Sequence, residues 1–226
     1  MPSVIVAGGG LAGLSAAAAL GAAGYTVDLF EAKPYLGGRA TSYTIPTGDG
    51  STETIDNCQH VLLRCCTNLL DLYRRLGVLK YIQFYREFYF VEPGGRTSVL
   101  KRGLFPAPLH FFGAFAKLKF LEAGEKFALA RALLAIRSER TRRDLNDITM
   151  LDWLREKRQP QRVIDRFWRQ VLVSAINEDI ETMAAVHGFK VFWLGFLSHS
   201  DSYEMGVPAV GLGRELVRAS RYEGEG

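Results

Sequence analysis

Cysteine is scarce in this sequence: Cys58, Cys65 and Cys66 are its whole complement in 226 residues. So sparse and odd a set builds no disulfide framework, and it fits a reducing, cytoplasmic compartment. Charge is missing from Pro2 to Val27. No Lys or Arg precedes that apolar stretch, so it lacks the basic region of an export signal. There is no internal repeat, and the alanines at positions 16 to 19 are the one low-complexity run. The net charge of +4 brings no nucleic-acid recognition motif and no aromatic-basic interleaving, so nucleic acid is not an expected partner. What remains is ordinary globular composition, 48% hydrophobic and 23% charged, rich in aromatics with 14 Phe, 9 Tyr and 3 Trp. The length allows one large domain or a domain and a half.

The uncharged stretch "VIVAGGGLAGLSAAAALGAAGYTV" is long enough for a membrane helix, which needs about 20 apolar residues. Its glycines oppose that reading, for Gly8, Gly9, Gly10, Gly13, Gly21 and Gly24 all lie in it. Its character also changes midway. "SVIVAG" is short and β-branched, like a buried parallel strand. "LAGLSAAAALGAAG" is alanine-rich and ends at Gly24, a helix stop. "YTVDLFEA" reads as a second strand that ends in Glu31.

Strand, glycine turn, helix, strand and acid make a dinucleotide-binding βαβ unit. Gly8, Gly10 and Gly13 form G-x-G-x-x-G. The first serves the tight turn, the second lets backbone approach a pyrophosphate, and the third lets helix and strand pack closely. Leu11 and Ala12 begin the helix, where free N–H groups and the positive dipole end face phosphate. Glu31 is placed to accept ribose hydroxyls. A second glycine pair, Gly37-Gly38, then precedes Arg39, whose fork suits a phosphate. An NAD site needs nothing special after the acid, so this second pair helps decide which dinucleotide is bound.

The whole run from the first glycines to Gly37-Gly38-Arg39 resembles the FAD motif of the amine oxidase and phytoene desaturase superfamily. Four later blocks, "IDNCQHVLLRCCTNLLDLYRRLGV", "FPAPLHFF", "LDWLREKRQPQRVIDRFWRQVLVSAINED" and "YEMGVP", resemble the hydroxysqualene dehydroxylase family, the squalene-associated FAD-dependent desaturases. The resemblance runs from about Val4 to Pro208. It implies an FAD-dependent oxidoreductase that reduces hydroxysqualene to squalene in hopanoid biosynthesis, with peripheral contact at the inner face of the cell membrane. Carotenoid desaturase or amine oxidase of the same superfamily is the alternative, and a truncated, non-catalytic fragment is another. The resemblance also puts Asp56 in the cofactor shell and Gln59 and His60 nearest the flavin ring as the catalytic candidates. For His60 a helix-capping role is an equal reading.

Two departures stand out. Cys58 occupies the place where the family pattern expects glycine. Family members are also longer, and their FAD domain is completed by a later return of the chain with a Gly-Asp motif. An amino-terminal fragment is therefore expected. The fold expected is a glutathione-reductase-like α/β FAD-binding βαβ start plus part of an α+β substrate domain, incomplete. Residues 1–60 are expected to begin the FAD-binding domain, 61–208 to be mostly substrate-domain hairpin and helices, and 209–226 to form a divergent, poorly ordered tail.

Between these motifs, "HVLLRCCTNLLDLYRRLG" places Leu62, Cys65, Leu69, Leu72 and Leu76 at helical spacing, with Gly77 as stop. "YIQFYREFYFVEPGGRTSVLKRG" predicts a β-hairpin turning at Pro93-Gly94-Gly95. Helices are predicted over 124–138, 150–157 and 161–176, with Thr149 and Asp152 as a capping pair. Cys58, His60, Cys65 and Cys66 lack zinc-site spacing, so no metal is expected, and Cys65 and Cys66 read as buried small hydrophobes. "GLFPAPLHFFGAFAKLKFL" has two readings, substrate-domain core or an apolar entrance touching a membrane with Lys117 and Lys119 at headgroup level. Eleven Lys and Arg lie between Arg131 and Arg169, so an anionic partner is expected to meet that face.

Overall fold

The computed structural model describes residues 1–57, 61–209 and 211. Two compact units are interleaved along the chain. The first holds Met1–Leu62, Cys66–Tyr85 and the described residues from Met205, and the second holds Leu63–Cys65 and Arg86–Glu204.

In the first unit, β1 (Ser3–Ala7) and β2 (Thr26–Phe30) pair in parallel, from Ser3 opposite Thr26 to Ala7 opposite Phe30. Helix α1 (Leu11–Ala22) joins them. Its alanines favour helix, and Gly24, at φ +85°, turns the chain into β2 as L side chains rarely can. None of its residues is buried within this chain. β3 (Ser42–Pro46) and β4 (Thr52–Asp56) form an antiparallel hairpin.

β5 is only Leu62–Leu63, and α2 (Thr67–Arg75) follows. This shortens the helix expected from Leu62 onward. Leu62 is buried as strand, and Cys66 is the residue before the helix. Cys66 is exposed and Cys65 half-buried, so neither is the buried small hydrophobe expected. Gly77, at φ +67°, does end the helical region. Leu70 and Tyr73 pack with Leu62, Val78 and Ile82 into a small core.

β6 (Ile82–Tyr85) takes the start of the stretch expected to form the hairpin and stands as a separate strand. The hairpin itself is β7 (Glu87–Val91) against β8 (Thr97–Lys101), with Gly94 and Gly95 at positive φ in the turn. These strands open the second unit. α3 (Phe112–Ala116), α4 (Ala123–Glu139) and α5 (Met150–Glu156) come next. α6 runs over 161–176 with one turn loosened at Ile164–Trp168, and α7 over 185–197 with a similar turn at Trp193–Leu197. The predicted helices over 124–138, 150–157 and 161–176 are present to within a residue or so. Thr149 caps α5 as expected, since its hydroxyl accepts the Asp152 N–H at 3.0 Å.

The core of this helical body is aromatic. Trp153 meets the edge of Phe189 at 4.8 Å, and Trp168 that of Phe192 at 4.7 Å. Both indoles are fully buried with their N–H groups satisfied: Trp153 donates to Glu139 (2.9 Å) and Trp168 to Gln159 (3.0 Å). The basic stretch from Arg131 to Arg169 is neutralised in part within the chain. Arg142 pairs with Asp144 and Glu156, Arg162 with Glu122, and Arg169 with Glu181. Part of the charge expected to face an anion there is thus spent on internal pairs.

β9 (Met205–Pro208) returns to the first unit and pairs antiparallel with β6, in a sheet ordered β5-β9-β6. The units therefore do not divide at one point near residue 60. A strand formed late in the sequence completes a sheet begun early, a non-local pairing that local pattern does not announce. Among the described residues no helix is long and apolar enough to cross a membrane.

Candidate cofactor-binding site

The site is built where β1 meets α1. The Gly8 N–H extends the parallel ladder by donating to the Phe30 carbonyl at 2.7 Å. Gly8 then turns the chain at φ +101°. Gly13 lies one helical turn further on. A Cβ there would stand 1.8 Å from the Gly8 carbonyl oxygen, so only glycine lets α1 start this close to the strand. At Gly10 the opposite holds: a Cβ would meet none of the described residues within 4 Å. Gly10 thus borders open space, as backbone approaching a ligand must.

Among the described residues no side chain caps the amino end of α1, and no acid occupies its first turn. The N–H groups of Leu11, Ala12 and Gly13 therefore begin an uncompensated positive dipole end, the physical basis of phosphate binding at a helix start. The second glycine pair closes against the first. Gly37 donates its N–H to the Gly9 carbonyl at 2.7 Å and bridges Gly10 in parallel. Gly37 and Gly38 have φ of +104° and +62°. A Cβ on Gly38 would press the Gly10 Cα at 3.2 Å. Two loops far apart in sequence thus share one glycine-lined wall. Arg39 is exposed beside it, with its carbonyl accepting the Asn57 side-chain amide at 3.1 Å.

Glu31 sits at the end of β2 with both carboxylate oxygens engaged. One accepts the Gly9 N–H at 2.7 Å and the other the Lys33 N–H at 2.9 Å. These bonds, Lys33 first and Gly9 next, hold its carboxyl below the usual range. Each oxygen keeps a further lone pair for a ribose hydroxyl. Sequence reasoning missed Gly9, which ties the glycine turn to the acid. The signal for it was the third consecutive glycine.

Asp56 ends β4 and accepts the Ser42 hydroxyl at 2.5 Å. Gly211 packs at the same place, where a Cβ would lie 2.9 Å from the Ser42 Oγ. Ser42 and Gly211 were not singled out in the sequence, and nothing local marked them. The structure gathers Gly8, Gly10, Leu11, Ala12, Gly13, Glu31, Gly37 and Gly38 around one cradle, with Asp56 in the neighbouring hairpin. Cys58, Gln59 and His60 lie outside the described residues, as does most of the stretch 209–226.

The cradle fits a dinucleotide: open backbone at Gly10, an uncapped helix start, and an ionised acid one strand away. Three comparisons extend this. Residues 11–194 match the family described as flavin containing amine oxidoreductase. A zeta-carotene desaturase of Synechocystis sp. is 29% identical over 84% of this chain and 41% of its own length. One from Zea mays is 30% identical over 84% of this chain and 35% of its own. The chain thus spans about two-fifths or less of these relatives' length. In solved structures, putrescine oxidase superposes over 99% of this chain and 50% of its own with a TM-score of 0.66, at 18% identity. That likeness speaks for the fold, an FAD-binding Rossmann-like domain represented in part.

Proposed function

The chain belongs to the flavin-containing amine oxidoreductase family, and from that premise we propose that it supplies the FAD-cradling part of an oxidoreductase acting on an isoprenoid lipid, of the carotenoid-desaturase kind. FAD is the cofactor, and when bound it supplies hydride acceptance or donation. The observation that carries the substrate class is the match to zeta-carotene desaturases along 84% of this chain, which reaches far beyond the glycine motif.

The residues have separable tasks in this reading. Leu11, Ala12 and Gly13 offer N–H groups to the pyrophosphate, and Gly10 leaves the room it needs. Glu31 holds the ribose of the adenosine half. Arg39 reaches a phosphate from the second glycine loop, and Asp56 belongs to the cofactor shell. The family resemblance assigns the chemistry at the flavin ring to Gln59 and His60. The protein is cytoplasmic in this reading and meets its lipophilic substrate at the inner face of the cell membrane.

A narrower reading, reduction of hydroxysqualene to squalene, rests on the four sequence blocks from Ile55 to Pro208. The comparisons favour the desaturase alternative over it. Oxidation of an amine has the fold likeness to putrescine oxidase behind it, and at 18% identity that carries no substrate.

The test is a substrate panel with FAD and a quinone acceptor: zeta-carotene, phytoene, hydroxysqualene and putrescine. A longer conjugated polyene, seen as a red-shifted absorption spectrum, is the expected product. Squalene from hydroxysqualene under reduced FAD, with the carotenes untouched, would establish the narrower reading instead. Turnover of putrescine alone would remove the isoprenoid reading.

A further inference from the structure

We infer that the loop from Gly103 to Phe112 in the second unit is a docking element for an anionic lipid surface. The inference rests on the proposed lipophilic substrate for its purpose, and on its own geometry for the contact.

The loop divides its apolar side chains between two directions. His110 and Phe111 are buried. Phe111 packs with Leu100 and Tyr203, its ring 4.8 Å from that of Tyr203. Leu104, Phe105, Leu109 and Phe112 do the reverse, at 104%, 58%, 54% and 66% exposure. The loop is short and closed. The Gly103 N–H donates to the His110 carbonyl at 2.6 Å, and the Leu109 N–H to the Pro106 carbonyl at 2.9 Å. Pro106 and Pro108 stiffen it further. Four large apolar groups are therefore held outward on a fixed base within nine residues. The segment is thus core in one half, at His110 and Phe111, and surface in the other.

The surrounding charge says what covers them. From Pro93 to Leu121 there is no Asp or Glu, while Arg96, Lys101, Arg102, Lys117 and Lys119 all lie in that interval. Arg96 and Lys101 are paired with Glu92 and Glu87. Arg102, Lys117 and Lys119 are exposed. An apolar tip flanked by lysine and arginine matches the boundary between acyl chains and acidic headgroups. A second copy docking through the same face would bring two such basic rims together, which like charge opposes.

The experiment floats the 226-residue chain with vesicles of phosphatidylcholine alone, and of phosphatidylcholine with about one-third phosphatidylglycerol. Binding is expected to the anionic vesicles and to weaken as salt is added. Leu104→Ser with Phe105→Ser should cut that affinity at least roughly ten-fold. Lys117→Glu with Lys119→Glu should abolish the preference for anionic vesicles. All four side chains are exposed, so both variants should melt like the parent, and a melt confirms that they fold. No flotation of the parent overturns the inference, and so does equal flotation of the Leu104/Phe105 variant. A parent dimer that the variant dissolves, without vesicle binding, assigns the loop to a second copy and overturns it too. The assay needs neither FAD nor substrate. Its failure leaves the desaturase reading standing, and a failed substrate panel leaves the lipid contact standing.

Discussion

The βαβ segment and the helical body of the second unit solve opposite problems. Helix α1 carries no buried residue, and β1 and β2 alternate between exposed and half-buried positions. Its organisation comes from backbone: three glycines, a parallel ladder and one carboxylate that ties a turn to a strand. The helical body hides Trp153, Trp168, Phe189 and Phe192 almost completely and satisfies the indole N–H groups from within. One region is shaped to leave room and the other to leave none. Cofactor binding needs unfilled space and unspent N–H groups, whereas stability needs the reverse.

The sharpest way to break this contrast is at Trp153. Trp153→Ala removes a fully buried ring and the partner of Glu139, at a cost of about 3–5 kcal/mol. Urea unfolding followed by far-ultraviolet circular dichroism should show that loss in the helical signal. A shift under about 1 kcal/mol would mean that the aromatic cluster is not the seat of stability.

Gly13→Ala attacks the other side. The new Cβ meets the Gly8 carbonyl at 1.8 Å, so strand and helix must part, at about 1–3 kcal/mol of local strain. FAD titration should show binding lost while the helical body melts as before. Retained FAD affinity would falsify the claim that this close contact shapes the cradle.

His110 tests whether the second unit's packing has a weak point. It is buried, neither ring nitrogen has a hydrogen-bond partner among the described residues, and its ring lies 4.1 Å from that of Phe111. Burial, and next the nearby Arg102 charge, push its pKa below the ordinary 6.5. The unfolded chain then binds a proton that the folded chain refuses. Stability from the neutral ring is full above pH 6.5 and falls as pH drops from there toward the lowered value, by at most about 1.4 kcal/mol per pH unit. His110→Leu should flatten that part of the profile in melts taken through the window. An unchanged slope would move the effect to another group.

The smallest expected effect is Thr149→Ala. It removes the side-chain acceptor for the Asp152 N–H at the start of α5, at about 1 kcal/mol. Chemical denaturation of the helical body should detect it, and FAD affinity should not change. A change in FAD affinity instead would couple the two regions that the contrast separates.

Residues adjacent in sequence carried most of what was legible in advance. Gly8, Gly10, Gly13 and Glu31 announced the cradle because strand, turn and helix fix the positions of close neighbours. The β7–β8 hairpin, the helices α4 to α6 and the Thr149 cap were legible for the same reason. Glu122, just before α4, and Glu125 in its first turn form a second capping box that was not foreseen, because Glu before a helix is an unusual cap. Tertiary structure alone decided that Leu62 lies in a strand, that β9 returns to β6, and that Gly37 closes on Gly9. It also turned Phe111 inward and Phe112 outward, and paired Arg162 and Arg169 with acids from other segments, Glu122 and Glu181. Local preferences act over a few residues, so a sequence displays them directly. Pairing, burial and ion-pair partners depend on which distant segments meet, and only the folded chain brings those together.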